Sequence, residues 1–172
     1  LMSGAGSGIG RACALQLASD VCSLALVDCN NETLEESKHL LNKKNISVST
    51  HNFDLREKDK INEPPDKIVE LHNNIDIVFN NAGLSVVGTV DEVDENDWNI
   101  WMDVILNSGI QMSTIILAHL KQRTVSEIGN SYSIIGLLSV QNKSINKDGR
   151  LCVKAYTDTL AIERAREEGA VE

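Results

Sequence analysis

The amino-acid sequence predicts an α/β domain built on a doubly wound parallel sheet, with helices on both faces and three layers in all. Three observations carry this. Short apolar or alternating runs are separated by stretches with helical spacing along the chain. The glycine-rich segment SGAGSGIG (3–10) follows a strand end and leads at once into a helix. An acid, Asp28, closes the next apolar run, about 20 residues past the glycines, where such folds place an acid on a ribose. Strands joined through helices need crossover connections, which give parallel pairing, and the handedness rule leaves few topologies.

The elements follow in order. LMSGAGSGIGRACALQLA (1–18) opens on the last residues of a strand and continues as a helix with Ile9, Ala12, Leu15 and Leu17 among its apolar positions. VCSLALVD (21–28) is a buried strand, and NETLEESKHLLNKK (31–44), with Leu34, Leu40 and Leu41 on a polar background, is a surface helix. ISVSTHNF (46–53) alternates with period two and reads as a strand. REKDKINEPPDKIVELH (56–72) is helical around Pro64 and Pro65. Proline inside a helix costs about 3 kcal/mol and removes a hydrogen bond, so a break is expected, with a second piece from Asp66. IDIVFNNAG (75–83) is a strand running into a turn. Residues 94–123 form a long helix in two pieces, 127–136 a weaker strand, and 149–168 a helix ending before Gly169.

The bulk numbers set limits. At 172 residues and 42% apolar content the chain forms one domain, 1–172, and with 3% aromatics its core must be aliphatic. Asp and Glu outnumber Lys and Arg by 25 to 16, and an acidic surface repels phosphate backbones, so no nucleic-acid partner is expected. Cys13, Cys22, Cys29 and Cys152 form no C-x-x-C pair; free thiols point to a reducing, cytoplasmic setting. His39, His51, His72 and His119 lack metal-ligand spacing, so no metal is expected. No uninterrupted apolar run approaches the ~18 residues of a membrane span, and no signal segment is visible.

The glycine pattern Gly4-x-x-x-Gly8-x-Gly10 is where chemistry enters. Glycines let backbone N–H groups approach a pyrophosphate, and a helix N-terminus favours the anion. Alone, the pattern is equally a flexible turn, and Asp28 is equally a helix cap. Together they favour a dinucleotide. The Asp28 carboxylate accepts hydrogen bonds from ribose 2′ and 3′ hydroxyls and repels a 2′-phosphate, and neither Ser7 nor Cys29 beside it is positive. NAD(H) is therefore expected over NADP(H).

With these residues in view, the chain resembles the short-chain dehydrogenase/reductase family, a Rossmann-like fold. SGAGSGIG (3–10) is similar to the family's Thr-Gly-x-x-x-Gly-x-Gly loop, with Ser3 in place of threonine. Asp54 and Leu55 resemble its adenine-reading pair, and Asn80-Asn81-Ala82-Gly83 its NNAG turn. The resemblance implies hydride transfer between a nicotinamide and a small-molecule alcohol or carbonyl, and cofactor contacts from Ser3, Gly4, Gly8, Ile9, Gly10, Asp28, Asp54, Leu55, Asn80, Asn81, Ala82 and Gly83. It also implies homo-oligomers formed through helices 99–123 and 149–168, whose apolar residues read equally well as core.

The family's catalytic positions are mostly changed. IGNSYSIIGL (128–137) places the catalytic serine at Ser133. The family's tyrosine and lysine fall on Asn146 and Arg150, and its helix asparagine on Ile105, with Asn107 about 200° further around an α-helix. A tyrosine phenol titrates near pH 10 and serves as acid/base only when a lysine and the nicotinamide lower it. Asn146 has no proton to release usefully. Arg150 stays charged and still suits ribose hydroxyls. Tyr132 and Tyr156 lack the lysine spacing. Three readings stay open: an oxidoreductase, a catalytically inactive nucleotide-binding or interaction protein, and a fragment without function. The resemblance implies a domain incomplete at both ends, and the short middle strand is expected to leave unpaired neighbours and exposed apolar surface.

Overall fold

The computed structural model describes residues 1–21, 23–84, 93–122 and 133–136, without the side chains of Pro64, 118–122 and 133–136. Five parallel strands form one sheet: β1 (Met2–Ser3), β2 (Ser23–Asp28), β3 (Ser47–Asn52), β4 (Ile77–Asn80) and β5 (Ser133–Gly136), in the order β3-β2-β1-β4-β5. The helices are α1 (Gly8–Leu17), α2 (Asn31–Leu41), α3 (Lys58–Ile61), α4 (Pro64–His72), α5 (Glu95–Met102) and α6 (Ser108–Gln122).

The two core layers follow from the period of β2. Leu24 and Leu26 join Met2 and the α1 and α2 residues Ala14, Leu34 and Leu41 on one face. Ala25 and Val27 join Val78, Ile61, Ile68, Met112 and Ile116 on the other. Successive strand side chains point to opposite faces, so a continuous apolar run serves helices on both.

Several expectations are refined. The middle strand is short, yet Met2 pairs with Leu26 and Phe79, and Ser3 with Val27. Leu1 adds bonds on the β4 side: its N donates to Ile77 O at 2.9 Å and its carbonyl accepts from Phe79 N at 2.8 Å. The expected exposure does not arise at these positions, since Met2, Leu26 and Val78 are 0% exposed under the helices. The Pro-Pro break occurs, between Ile61 and Pro64, but the second helix begins on the prolines themselves, at its first two positions. Proline is tolerated there because those N–H groups have no partner within the helix.

The long helix is not cut in two. α5 runs into α6 through a π-helical stretch, Asp103–Asn107. A π turn holds one residue more than an α turn, so positions counted from Trp98 and from Leu120 slip in phase across it. By length and composition alone, Glu95–Leu117 is apolar enough to cross a membrane. The expectation of no span rested on uninterrupted apolar runs, whereas here the apolar residues are spread over many turns. Trp101, Met112 and Ile116 are buried, and Trp101 stacks on Trp98 with ring centroids 5.4 Å apart.

Ser49 Oγ bridges β3 to the end of α4, lying 2.8 Å from His51 Nε2 and 2.7 Å from His72 Nε2. The buried Nδ1 of His72 has no hydrogen-bond partner among the described residues. Burial, then the neighbouring His72 and Lys67, lowers His51 to about 4, and burial lowers His72. Both rings are therefore neutral in the folded chain at neutral pH. The unfolded chain takes up these protons first, near pH ~6.5, so stability is full above that value and is lost as pH falls through about 4. Urea denaturation at about pH 7 and about pH 4.5 is expected to show a lower midpoint in acid. The drop should shrink in His51→Gln/His72→Gln; an equal drop in that variant refutes the assignment.

Candidate functional site: the cleft at the carboxyl ends of β1 and β4

The strand order reverses between β1 and β4, and the crevice outside the carboxyl ends of such strands is where open α/β sheets bind ligands. Four groups of residues meet there. Ser3, buried at the end of β1, donates from Oγ to Phe79 O at 3.3 Å and accepts from the backbone N–H groups of Asn81 and Ala82, both at 3.1 Å. Asn81 returns two bonds, from Nδ2 to Ser3 O (3.0 Å) and Gly4 O (3.1 Å). The glycine loop and the NNAG turn are thus stitched together across the switch point. Asn80 turns the other way and donates to the buried Ser113 Oγ at 2.9 Å, fixing β4 to α6. Gly83 is exposed beyond the turn.

The glycine loop is walled on one side and open on the other. A Cβ on Gly10 would lie 2.0 Å from Gly4 O and 2.5 Å from Asn81 Nδ2, so only glycine lets α1 pack this closely under the loop. Gly8, at φ +50°, faces nothing within 4 Å. That opening lies at the first residue of α1, where Ser7 makes no capping side-chain bond, so the N–H groups of the first turn remain available to an anion. Ile9 beside it is 58% exposed.

The Gly6 peptide is held from both ends. Its N–H donates to Asp28 Oδ2 at 2.8 Å, and its carbonyl accepts from Arg11 Nε at 3.0 Å. Arg11 also donates to Ser37 Oγ, Thr33 O and Glu36 Oε2, fastening the loop to α2. Asp28 Oδ1 accepts from Asn30 N at 3.0 Å. Each oxygen keeps a lone pair for a further donor, so Asp28 shapes the loop and still has acceptor capacity for hydroxyls. A dinucleotide's pyrophosphate and ribose match this arrangement: open N–H donors at Gly8 and, one strand away, a carboxylate acceptor.

At the neighbouring strand end, Asp54 is engaged by Arg56. Nε of Arg56 donates to both carboxylate oxygens, at 3.0 and 2.9 Å, and its backbone N–H donates to Oδ1 at 2.9 Å. The Arg56 guanidinium hydrogen-bonded to Asp54 holds that carboxyl below the ordinary carboxylate range. Leu55 is 8% exposed and belongs to the core. The Cys29 thiol is pushed up by burial and by Asp28 and Asp54.

Ile105 lies in the π turn, and Asn107 is exposed and donates to Asp103 Oδ1 at 2.8 Å. The backbone of Ser133 opens β5, opposite Ile77. Asn146, Arg150 and helix 149–168 lie outside the described residues. Sequence reasoning missed Arg11 and Arg56. Arg11 meets Glu36 only through the packing of α1 on α2. Arg56 sits two residues from Asp54 in a loop, where no helix or strand period marks the pair.

A doubly wound parallel sheet with a glycine loop at its switch point and an acid at the end of the adjacent strand β2 defines a dinucleotide-type fold. The chain matches the short chain dehydrogenase family over residues 1–171 and belongs to it. SadH of Mycobacterium tuberculosis, named as an oxidoreductase, is 29% identical over 163 residues, which are 95% of this chain and 59% of SadH. Among solved structures, an NAD+-bound xylitol dehydrogenase superposes with a TM-score of 0.85 at 23% identity, over 96% of this chain and 64% of that one. An alcohol dehydrogenase of the archaeon Thermococcus sibiricus, complexed with 5-hydroxy-NADP, gives 0.81 at 24% identity, over 95% and 72%. This chain therefore spans well under two thirds of SadH's length.

Proposed function

We propose that this protein binds NAD(H) in the β1/β4 cleft and derives from an oxidoreductase that moves hydride between nicotinamide and a small alcohol or carbonyl. The observation that carries the reading is the opening over Gly8, bordered by the loop that Asp28 holds. In this arrangement the first turn of α1 would hold the pyrophosphate and Asp28 the adenosine ribose, with Ser3 and Asn81 keeping the two loops in register. The nicotinamide supplies the hydride donor or acceptor. Ser133 would hydrogen-bond the reacting oxygen, and Arg150 would reach ribose hydroxyls. Asn146 offers no titratable proton, so we propose that turnover by the family's route is impaired and that a nucleotide-binding role is the second reading.

The similar solved structures carry NAD+ in one case and 5-hydroxy-NADP in the other. The preference for NAD(H) here rests on Asp28, whose charge opposes a 2′-phosphate. The free thiols of Cys13 and Cys29 accord with a reducing, cytoplasmic setting. The resemblance supports homo-oligomers through helices 99–123 and 149–168. Isothermal calorimetry is expected to show NADH binding about ten-fold or more tighter than NADPH, as one desolvated like-charge contact implies. No heat with either at millimolar concentration defeats the reading; equal affinities defeat the preference.

A further inference from the structure

We propose that Arg56, held flat by Asp54, is the side chain that receives the adenine ring of the dinucleotide. This rests on the NAD(H) reading above and goes beyond it. Asp54 is the acid that the resemblance puts against adenine, but its carboxylate has little left to offer. It accepts both contacts from Nε, one from Nη2 and one from the Arg56 backbone N–H. A carboxylate has about four lone-pair positions, and three N–H groups of Arg56, with the one on Nε shared between both oxygens, take up most of them. What the pair presents instead is the guanidinium. Its edge is tied to Asp54, which fixes its plane, and the Arg56 side chain is 46% exposed. A planar cation fixed in this way stacks on an aromatic ring with little ordering cost.

Its place in the fold fits the adenosine end. Asp28 and Asn52 are register partners at the ends of β2 and β3, and Asp54 follows two residues on. Asn52 Nδ2 and Phe53 N both donate to Asp28 O, so the start of the Arg56 loop is tied to the ribose acid. Arg56 also acts electrostatically on the Cys29 thiol next to Asp28, and Asp103 of the π turn acts on Arg56. Among the described residues, the charged groups at the Arg56–Asp54 pair include Asp103, which acts on the guanidinium, Lys60, which acts on Asp54, and Glu57, whose Oε1 lies 3.4 Å from Asp54 N. The Arg56 cation, absent from the sequence argument for NAD(H), is already neutralised by Asp54. It therefore offers a flat face to a base and little net charge to a 2′-phosphate.

The test uses the whole chain, with NADH, ADP-ribose and reduced nicotinamide mononucleotide as probes; the last lacks adenosine. Arg56→Met is expected to weaken NADH and ADP-ribose by the same factor, roughly three- to ten-fold, with the mononucleotide and the melting temperature unchanged. Arg56→Lys keeps a charge beside Asp54 but has no plane, and is expected to lose as much. If Arg56→Met binds NADH as the unaltered chain does, or if Asp54→Asn weakens ADP-ribose while Arg56→Met does not, the assignment is overturned. If the unaltered chain takes up neither NADH nor ADP-ribose, the dinucleotide reading itself fails, and this assignment with it.

Discussion

Asn146→Tyr combined with Arg150→Lys is expected to raise NAD(H)-linked turnover by about 10²- to 10⁴-fold, the usual contribution of one positioned acid/base. Hydride transfer to a carbonyl leaves an oxygen that must gain a proton, and the reverse reaction must lose one. An amide neither gives nor takes a proton near neutral pH, whereas a phenol does so when a cation lowers it from near 10. Arg150 supplies charge, but its broad fork does not replace a compact ammonium beside a ribose. Each single change should therefore recover far less than the pair. The measurement is NADH formation from a panel of secondary alcohols, with NADH binding checked separately. A double variant that folds and binds NADH but turns over no faster than the unaltered chain would show that the chemistry was not lost at these two positions.

The second large effect is expected from Gly10→Ala. The added carbon would sit 2.0 Å from the Gly4 carbonyl oxygen, which is backbone, and 2.5 Å from Asn81 Nδ2. The side chain of Asn81 can turn, at the loss of its two bonds to β1 and the loop, but the carbonyl cannot. Overpacking of this kind costs about 1–3 kcal/mol, and it falls on the joint between loop and helix. Gly10→Ala is expected to lower the melting temperature by several degrees and to abolish measurable NADH binding. Gly8→Ala separates the two consequences. Its Cβ meets nothing within 4 Å, but its φ of +50° strains an alanine, at about 1 kcal/mol. It should stay folded and lose affinity chiefly because the carbon projects into the space left for the pyrophosphate. Gly8→Ala with undiminished NADH affinity would place the anion elsewhere.

Much of the fold was legible in the sequence because it rests on local patterns. The apolar run 21–28 and the alternating run 46–53 contain β2 and β3, and the glycine segment leads into α1 as expected. The misjudged details were matters of backbone hydrogen bonding. Two adjacent prolines break a helix wherever they fall inside one, but they also start one well, and which role they take depends on where the preceding chain turns. The π turn at Asp103–Asn107 leaves no mark in composition, since it alters the ladder by one residue and keeps the helix running.

At the site, the sequence by itself determined the identity of the motifs: the glycine loop, Asp28 at a strand end and the NNAG turn, while the resemblance alone puts Asn146 and Arg150 at the family's tyrosine and lysine positions. These are readable because each depends on residue type at a fixed spacing. Only the tertiary structure decided what those residues do to one another. It tied Asn81 to the glycine loop, made Asp28 a clamp on the Gly6 peptide, and turned most of the acceptors of Asp54 to Arg56. Such bonds join loops at the carboxyl ends of different strands, up to 79 positions apart in the chain, or sit within a loop that has no period. The physical reason is that a side chain's free lone pairs are settled by its neighbours in space, and the parallel crossover topology chooses those neighbours.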